Sequence, residues 1–389
     1  MFKTADVDVS QRPFSVRQAR EIVRDLFEPR PWIYWTDLLV TMAVGIFCLR
    51  QLRLNDFLTP LQTLGYFGAV LAFYRAGSFT HELVHLRTGS FLGFRLAWNL
   101  LCGIPFLMPS FMYYPHIAHH AKNHYATKED GEYLALATGP ARNIVWYMLQ
   151  TLLIPAVYVL RFLVFVPIAW VVPGFRRFVQ QRVSSLVMDP RYIRPLPSTK
   201  ELKVWRVQET ACFLFTLGAA VLFATGVLEI SYLPKIYLLA VGIMVMNQLR
   251  TLGAHRFWYH HQQISYLEQL LDSVNYPEGS WVTALWAPVG LRYHALHHLF
   301  PSLPYHALAE AHRRLMAQLP ADSPYREVNS PSLRASLGVL WRSARASGAR
   351  ASSGEALGAR FAPQSGLAVQ TSPAAQTSGQ ARADAELGS

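Results

Sequence analysis

The chain has 389 residues, 52% of them hydrophobic and 15% charged, with a net charge of +12. Its apolar residues come in long blocks rather than at helical spacing, which excludes an ordinary soluble domain and makes a membrane protein the economical reading. The excess Lys and Arg adjoin those blocks and no reader motif accompanies them, so a nucleic-acid partner is excluded too.

Residues 1–30 are mixed, with Arg12, Arg17, Arg20, Arg24 and Arg30 among acidic residues and no apolar leader core, so this segment is expected to stay in the cytoplasm. Apolar blocks follow at Trp35–Leu49, Phe57–Phe79, Phe91–Tyr114, Ile144–Val172, Thr210–Ile230 and Ile236–Leu252. A helix needs about 20 such residues to span a bilayer. Between and after the blocks lie three histidine clusters: His81 and His85; His116, His119 and His120; His294, His297 and His298. Residues three and four apart on a helix share a face, so each cluster can aim its rings at a common point. His255, after the last block, is a further candidate.

If the clusters serve one site, they face the same side of the membrane. The first two blocks then form a hairpin that returns the chain to the cytoplasm before His81. Phe91–Tyr114, interrupted by Gly103, Pro105 and Pro109, and Ile144–Val172, interrupted by Pro155, Arg161 and Pro167, are expected to be interfacial or re-entrant. A basic run from Arg176 to Arg206 lies inside, and the last two blocks make a second hairpin. The expectation is an all-α membrane protein: about four transmembrane helices in two hairpins, interfacial or re-entrant helices, and a cytoplasmic histidine-rich catalytic cap. After Leu299, residues 307–318 read as a surface helix, and the catalytic domain is taken as 31–342. From Ser343 the composition turns to Ala, Ser, Gly, Gln and Arg, and 343–389 is expected to be a disordered polar tail. Cys48, Cys102 and Cys212 lie far apart in apolar stretches and read as small buried hydrophobes.

Nine imidazoles, His81, His85, His116, His119, His120, His255, His294, His297 and His298, are too many for one ion and suit two with open positions for oxygen. Zinc, copper, nickel and iron all accept imidazole, so the metal does not follow from the residues. His81-Glu82-Leu83-Val84-His85 also fits a zinc protease, with Glu82 as base and the chain's only Asp-Gly, Asp130-Gly131, as source of a third ligand. That reading leaves two clusters unexplained. A non-enzymatic metal-binding receptor is another alternative. Glu82, Asp130 and Glu132 lie near the clusters and are candidates to orient ring N–H groups. His124, His260, His261, His306 and His312 are read as surface or supporting histidines.

The three clusters, their order and the two hairpins resemble the integral-membrane fatty acid desaturase and hydroxylase family. Tyr293-His294-Ala295-Leu296-His297-His298-Leu299-Phe300-Pro301 is especially similar to that family's third histidine box. The resemblance covers Trp35 to Arg314. It implies a di-iron centre held by the eight clustered histidines, with His255 as a ninth ligand, facing the cytoplasm of a bacterial inner membrane. It also implies oxidation of an unactivated lipid C–H bond by dioxygen and two electrons. The expected outcome is desaturation of a fatty acyl chain; hydroxylation or terminal-alkene formation at the same centre is the alternative. No haem or Cys-rich signature is evident, so electrons are expected from a separate ferredoxin, rubredoxin or cytochrome.

Overall fold

The computed structural model describes residues 14–87, 89–279 and 281–352. Helix α1 (Val16–Ile22) precedes two long helices, α2 (Pro31–Leu54) and α3 (Pro60–His85), each begun by a proline where its missing N–H costs nothing. Short helices α4 (Leu92–Trp98), α5 (His116–His119) and α6 (Arg142–Leu149) follow. Next come α7 (Ile154–Leu160), α8 (Val166–Val171) and α9 (Pro173–Arg182), then the long pair α10 (Thr199–Ala224) and α11 (Tyr232–Ala254). The chain continues through α12 (Tyr266–Asp272), α13 (Trp281–Trp286), α14 (His294–Leu299), α15 (Leu308–Gln318) and α16 (Leu333–Ser352). The described residues contain no strand, only isolated bridges.

Among the described residues, four helices are long and apolar enough to cross a membrane: Pro31–Leu54, Ile154–Val171, Thr199–Ala224 and Tyr232–Ala254. Their number agrees with the expectation but their membership does not. Residues 57–79 were expected to span, yet α3 misses the same hydropathy because it carries Gln62, Arg75 and the first histidine cluster. It still returns along α2 as the first hairpin requires. Gly65 brings it so close to α2 that a Cβ would lie 2.9 Å from both Cys48 O and Leu52 N, and Arg75 forms a two-pronged ion pair with Asp37.

Residues 144–172 are interrupted by a 3-10 turn at Gln150–Leu152, but not at their prolines, where a break was expected: Ile154–Val171 is continuous. Pro155 and Pro167 each sit in the first turn of α7 and α8, and a π-helical turn, Arg161–Phe165, joins the two. Arg161 is fully buried and is neutralised by Glu209 of α10, with Ser184 Oγ accepting from it at 2.9 Å. Residues 91–114 are interrupted as their glycine and prolines imply: α4 runs into a π-helical turn at Asn99–Gly103 and ends before a 3-10 turn at Ser110–Tyr113.

The domain boundary expected at residue 343 falls inside α16. One face of the helix packs on the protein: Leu340 and Ala344 are buried, and the Ser347 hydroxyl donates to Ala137 O at 3.1 Å. A polar composition is enough for a helix whose one small-residue face is buried. Residues 353–389, the rest of the expected tail, lie outside the described residues, as do 1–13 of the N-terminal segment.

Candidate metal centre

Each histidine cluster sits on a different kind of support. His81 and His85 occupy the last turn of α3, one turn apart. His116 and His119 form the single turn of α5, and His120 ends it. His255 is the first residue after α11, and His294, His297 and His298 ride on α14. An extended stretch at 272–276 ties the last two supports together. Val274 N–H donates to Ala254 O at 2.9 Å, Tyr276 N–H to Arg292 O at 2.7 Å, and Leu296 N–H to the Asn275 side chain at 3.1 Å.

All nine candidate histidines meet in this centre, in two groups. One contains His81, His85, His116, His120 and His297; the other contains His119, His255, His294 and His298. Within the groups, Nε2 atoms face one another. His294 and His255 approach to 2.9 Å, His119 and His255 to 3.2 Å, and His298 and His294 to 3.1 Å. On the other side His120 and His116 approach to 2.9 Å, and His297 lies 3.2 Å from His85 and 3.1 Å from His120.

The opposite ring nitrogens show why these contacts are not simple hydrogen bonds. His116 Nδ1 meets Glu132 at 2.8 Å, His119 Nδ1 meets Asp130 at 2.9 Å, and His255 Nδ1 meets the Tyr125 hydroxyl at 2.8 Å, which itself donates to Asp272 at 2.7 Å. A ring that donates its Nδ1 proton to a carboxylate presents a bare lone pair at Nε2. Several such lone pairs face one another, and a cation between them resolves the conflict. Metal–nitrogen bonds of about 2.1 Å at right angles put neighbouring nitrogens about 3.0 Å apart, which matches the observed approaches. His298 Nδ1 lies 3.0 Å from the Gln269 amide nitrogen, which also donates to His120 O at 3.4 Å.

Burial and neighbouring imidazoles hold His116, His120, His255, His294, His297 and His298 well below the ordinary histidine value, the neutral state a metal requires. For His119 burial acts in the same direction, but the Asp130 carboxylate outweighs it and raises the group. The donor set therefore fits two ions.

Asp130 and Glu132 support imidazoles as their position suggests, but Glu82 does not. Its Oε2 accepts from the Tyr34 hydroxyl at 2.8 Å and from Tyr305 N–H at 3.2 Å, so it fastens α2 and the segment after α14 to α3. The protease arrangement is not formed: Glu82 is turned away, and Asp130 is engaged by His119 and by the N–H groups of Ala126 and Glu132. His306 accepts from Arg30 N–H, His312 pairs with the Tyr325 hydroxyl, and His124, His260 and His261 lie outside both groups. Tyr125, Gln269 and Asp272, which complete the support, belong to no sequence motif.

Beside the clusters lies a cavity of about 140 Å³, reached by His81, His116, His119, His255 and His294. Met108, Ile154, Ile243 and Met244 give it an apolar end, and α11 adds polar side chains nearer the histidines.

Comparison with known proteins agrees with this geometry. Residues 57–329 match the fatty acid desaturase family. The chain is 38% identical over 361 residues to a ceramide hydroxylase of Caulobacter vibrioides, covering 90% of this chain and 98% of that protein. No solved structure matches. With its histidine-rich centre, its four apolar helices and a match over most of its length, the chain belongs to the fatty acid desaturase family and is an integral-membrane lipid oxidoreductase of its desaturase and hydroxylase branch.

Proposed function

We propose that this enzyme hydroxylates a ceramide-type membrane lipid at a di-iron centre formed by the nine histidines. The observation that carries the reading is the likeness to a ceramide hydroxylase, which runs nearly end to end of that protein. Desaturation, expected from the histidine boxes, shares the same ligands and is the outcome against which hydroxylation is tested.

His81, His85, His116, His120 and His297 would hold one ion, and His119, His255, His294 and His298 the other. Bound iron supplies the oxidation of an unactivated C–H bond by dioxygen and two electrons. The protein's part is positional. Glu132, Asp130 and the Tyr125–Asp272 relay fix ring orientation and keep the Nδ1 proton on the side away from the ions. The apolar end of the cavity takes hydrocarbon and excludes water, so that a chosen carbon is held still beside the centre. The centre faces the cytoplasm, a reading supported by the basic run from Arg176 to Arg206, and electrons arrive from a separate donor protein.

The test is expression in a bacterium supplied with ceramide, followed by mass spectrometry of extracted lipids. The expected product is a ceramide heavier by one oxygen, absent with His298→Ala. A ceramide lighter by two hydrogens would replace hydroxylation by desaturation, and an unchanged ceramide beside another altered lipid would reject the substrate.

A further inference from the structure

Helix α11 presents four polar side chains to the cavity, Asn247, Gln248, Arg250 and Thr251, within a helix apolar enough to span a membrane. Polar groups in such a place are costly and take partners. Thr251 finds one locally, its hydroxyl donating to Asn247 O at 2.8 Å. Gln248 and Arg250 are each left with one polar atom unmatched. They are only 5% and 8% exposed, yet Gln248 Oε1 and Arg250 Nε have no hydrogen-bond partner. The rest of the guanidinium meets the Tyr74 and Tyr113 hydroxyls, and no carboxylate among the described residues forms an ion pair with it. Across the same cavity Glu132 gives Oε2 to His116 and leaves Oε1 without a partner.

The cavity thus offers one unpaired donor, Arg250 Nε, and two unpaired acceptors, Gln248 Oε1 and Glu132 Oε1 on the facing side. A bare hydrocarbon leaves all three unsatisfied. A carboxylate satisfies Arg250 but meets two acceptors with no proton to give them. A secondary amide flanked by hydroxyls matches the set: its carbonyl accepts from Arg250, and its N–H and O–H groups donate to Gln248 and Glu132. Arg250 is five residues before His255, about 7.5 Å of helix rise, and the cavity it lines is reached by histidines of both groups. We propose that Gln248 and Arg250, with Glu132 opposite, form a headgroup subsite inside the catalytic cavity. It takes the amide and hydroxyls of a ceramide-type lipid and places the carbons next to that headgroup, rather than a mid-chain methylene, at the metal centre.

This inference rests on the ceramide reading above, and its test separates the two. Purified iron-loaded enzyme, supplied with dioxygen and reduced ferredoxin as the source of two electrons, is given a ceramide and the corresponding free fatty acid, and the oxidised position is found by tandem mass spectrometry. The wild type is expected to prefer the ceramide and to oxidise it within a few carbons of the amide. Gln248→Met and Arg250→Met are each expected to raise KM for the ceramide by about tenfold, to scatter the oxidised position and to leave metal content unchanged. Ceramide binding to the zinc-loaded, redox-inactive protein should weaken to the same degree, and Arg250→Lys should restore part of it. Mid-chain oxidation by the wild type, unchanged KM and binding in both methionine variants, or loss of metal from them would overturn the proposal. If the wild type ignores ceramide but oxidises another membrane lipid, the functional reading fails, and the subsite then stands or falls on whether the oxidised carbon adjoins that lipid's polar group.

Discussion

Replacing Tyr125 by phenylalanine removes one hydroxyl from a buried relay. That hydroxyl stands 2.8 Å from His255 Nδ1 and donates to Asp272 at 2.7 Å, and both the ring and the carboxylate are buried. Asp272 keeps the Trp258 N–H at 3.1 Å and the Tyr133 hydroxyl but loses the Tyr125 phenol, and His255 Nδ1 is left with only the longer Ser273 Oγ contact of 3.4 Å. A hydrogen bond to a charged group contributes about 1.5–3 kcal/mol, which is about 10- to 150-fold in an equilibrium constant. Loss of a partner behind a ligating histidine typically costs about 10- to 100-fold in metal affinity, so two independent magnitudes agree. The loss should be confined to one ion, because His255 belongs to the four-histidine group and Tyr125 touches no member of the other through its hydroxyl. Titration of the metal-free variant with iron(II) against a chelating indicator should show one site at wild-type affinity and one weakened within that range. Equal weakening of both sites, or none, would refute the assignment of His255 and the independence of the two groups.

His119→Ala and His298→Ala should each abolish lipid oxidation and leave about one tightly held ion by elemental analysis, because each removes a bond from the four-histidine group; full occupancy by two ions in either would show that the group is not a ligand set. Glu82→Gln keeps an acceptor for Tyr34 and Tyr305, so both ions and lipid oxidation should survive, whereas loss of metal would return Glu82 to the centre. Gly65→Leu forces a side chain against the α2 backbone and should lower stability by about 1–3 kcal/mol, read as earlier thermal unfolding in detergent. Truncation after residue 352 should leave oxidation intact, but removal of α16 from residue 333 uncovers the contacts of Leu340 and Ala344 and should reduce stability; equal behaviour of the two truncations would contradict that docking.

That the nine histidines converge was legible from residue type and spacing: His294, His297 and His298 lie on one turn, and that much a sequence shows. Their division into five and four was not, since His119 and His120 are neighbours in the chain but point to different groups, a result of ring direction alone. Asp130 and Glu132 were found through proximity in sequence. Proximity misled at Glu82, whose place one residue after His81 on a helix turns it to another face. Asp272 and Tyr125 are 147 residues apart and carry no local signal. Prolines misled at Ile154–Val171, where they suggest breaks although Pro155 and Pro167 each begin a helical turn and leave the helix continuous.

The buried pair between Arg161 and Glu209 has a consequence for biogenesis. Each charge lies in a helix long and apolar enough to enter the bilayer, and a lone charge at the middle of such a helix costs about 2.5–3.5 kcal/mol on insertion. Arg161 leaves the ribosome well before Glu209, so Ile154–Val171 reaches the translocon with an unmatched cation. Its stable release into lipid therefore waits for α10, and the two helices enter as a unit. Glu209→Leu should accordingly show itself first as stalled or inverted insertion of the segment from Ile154 to Arg182, before any defect in the assembled centre can be measured.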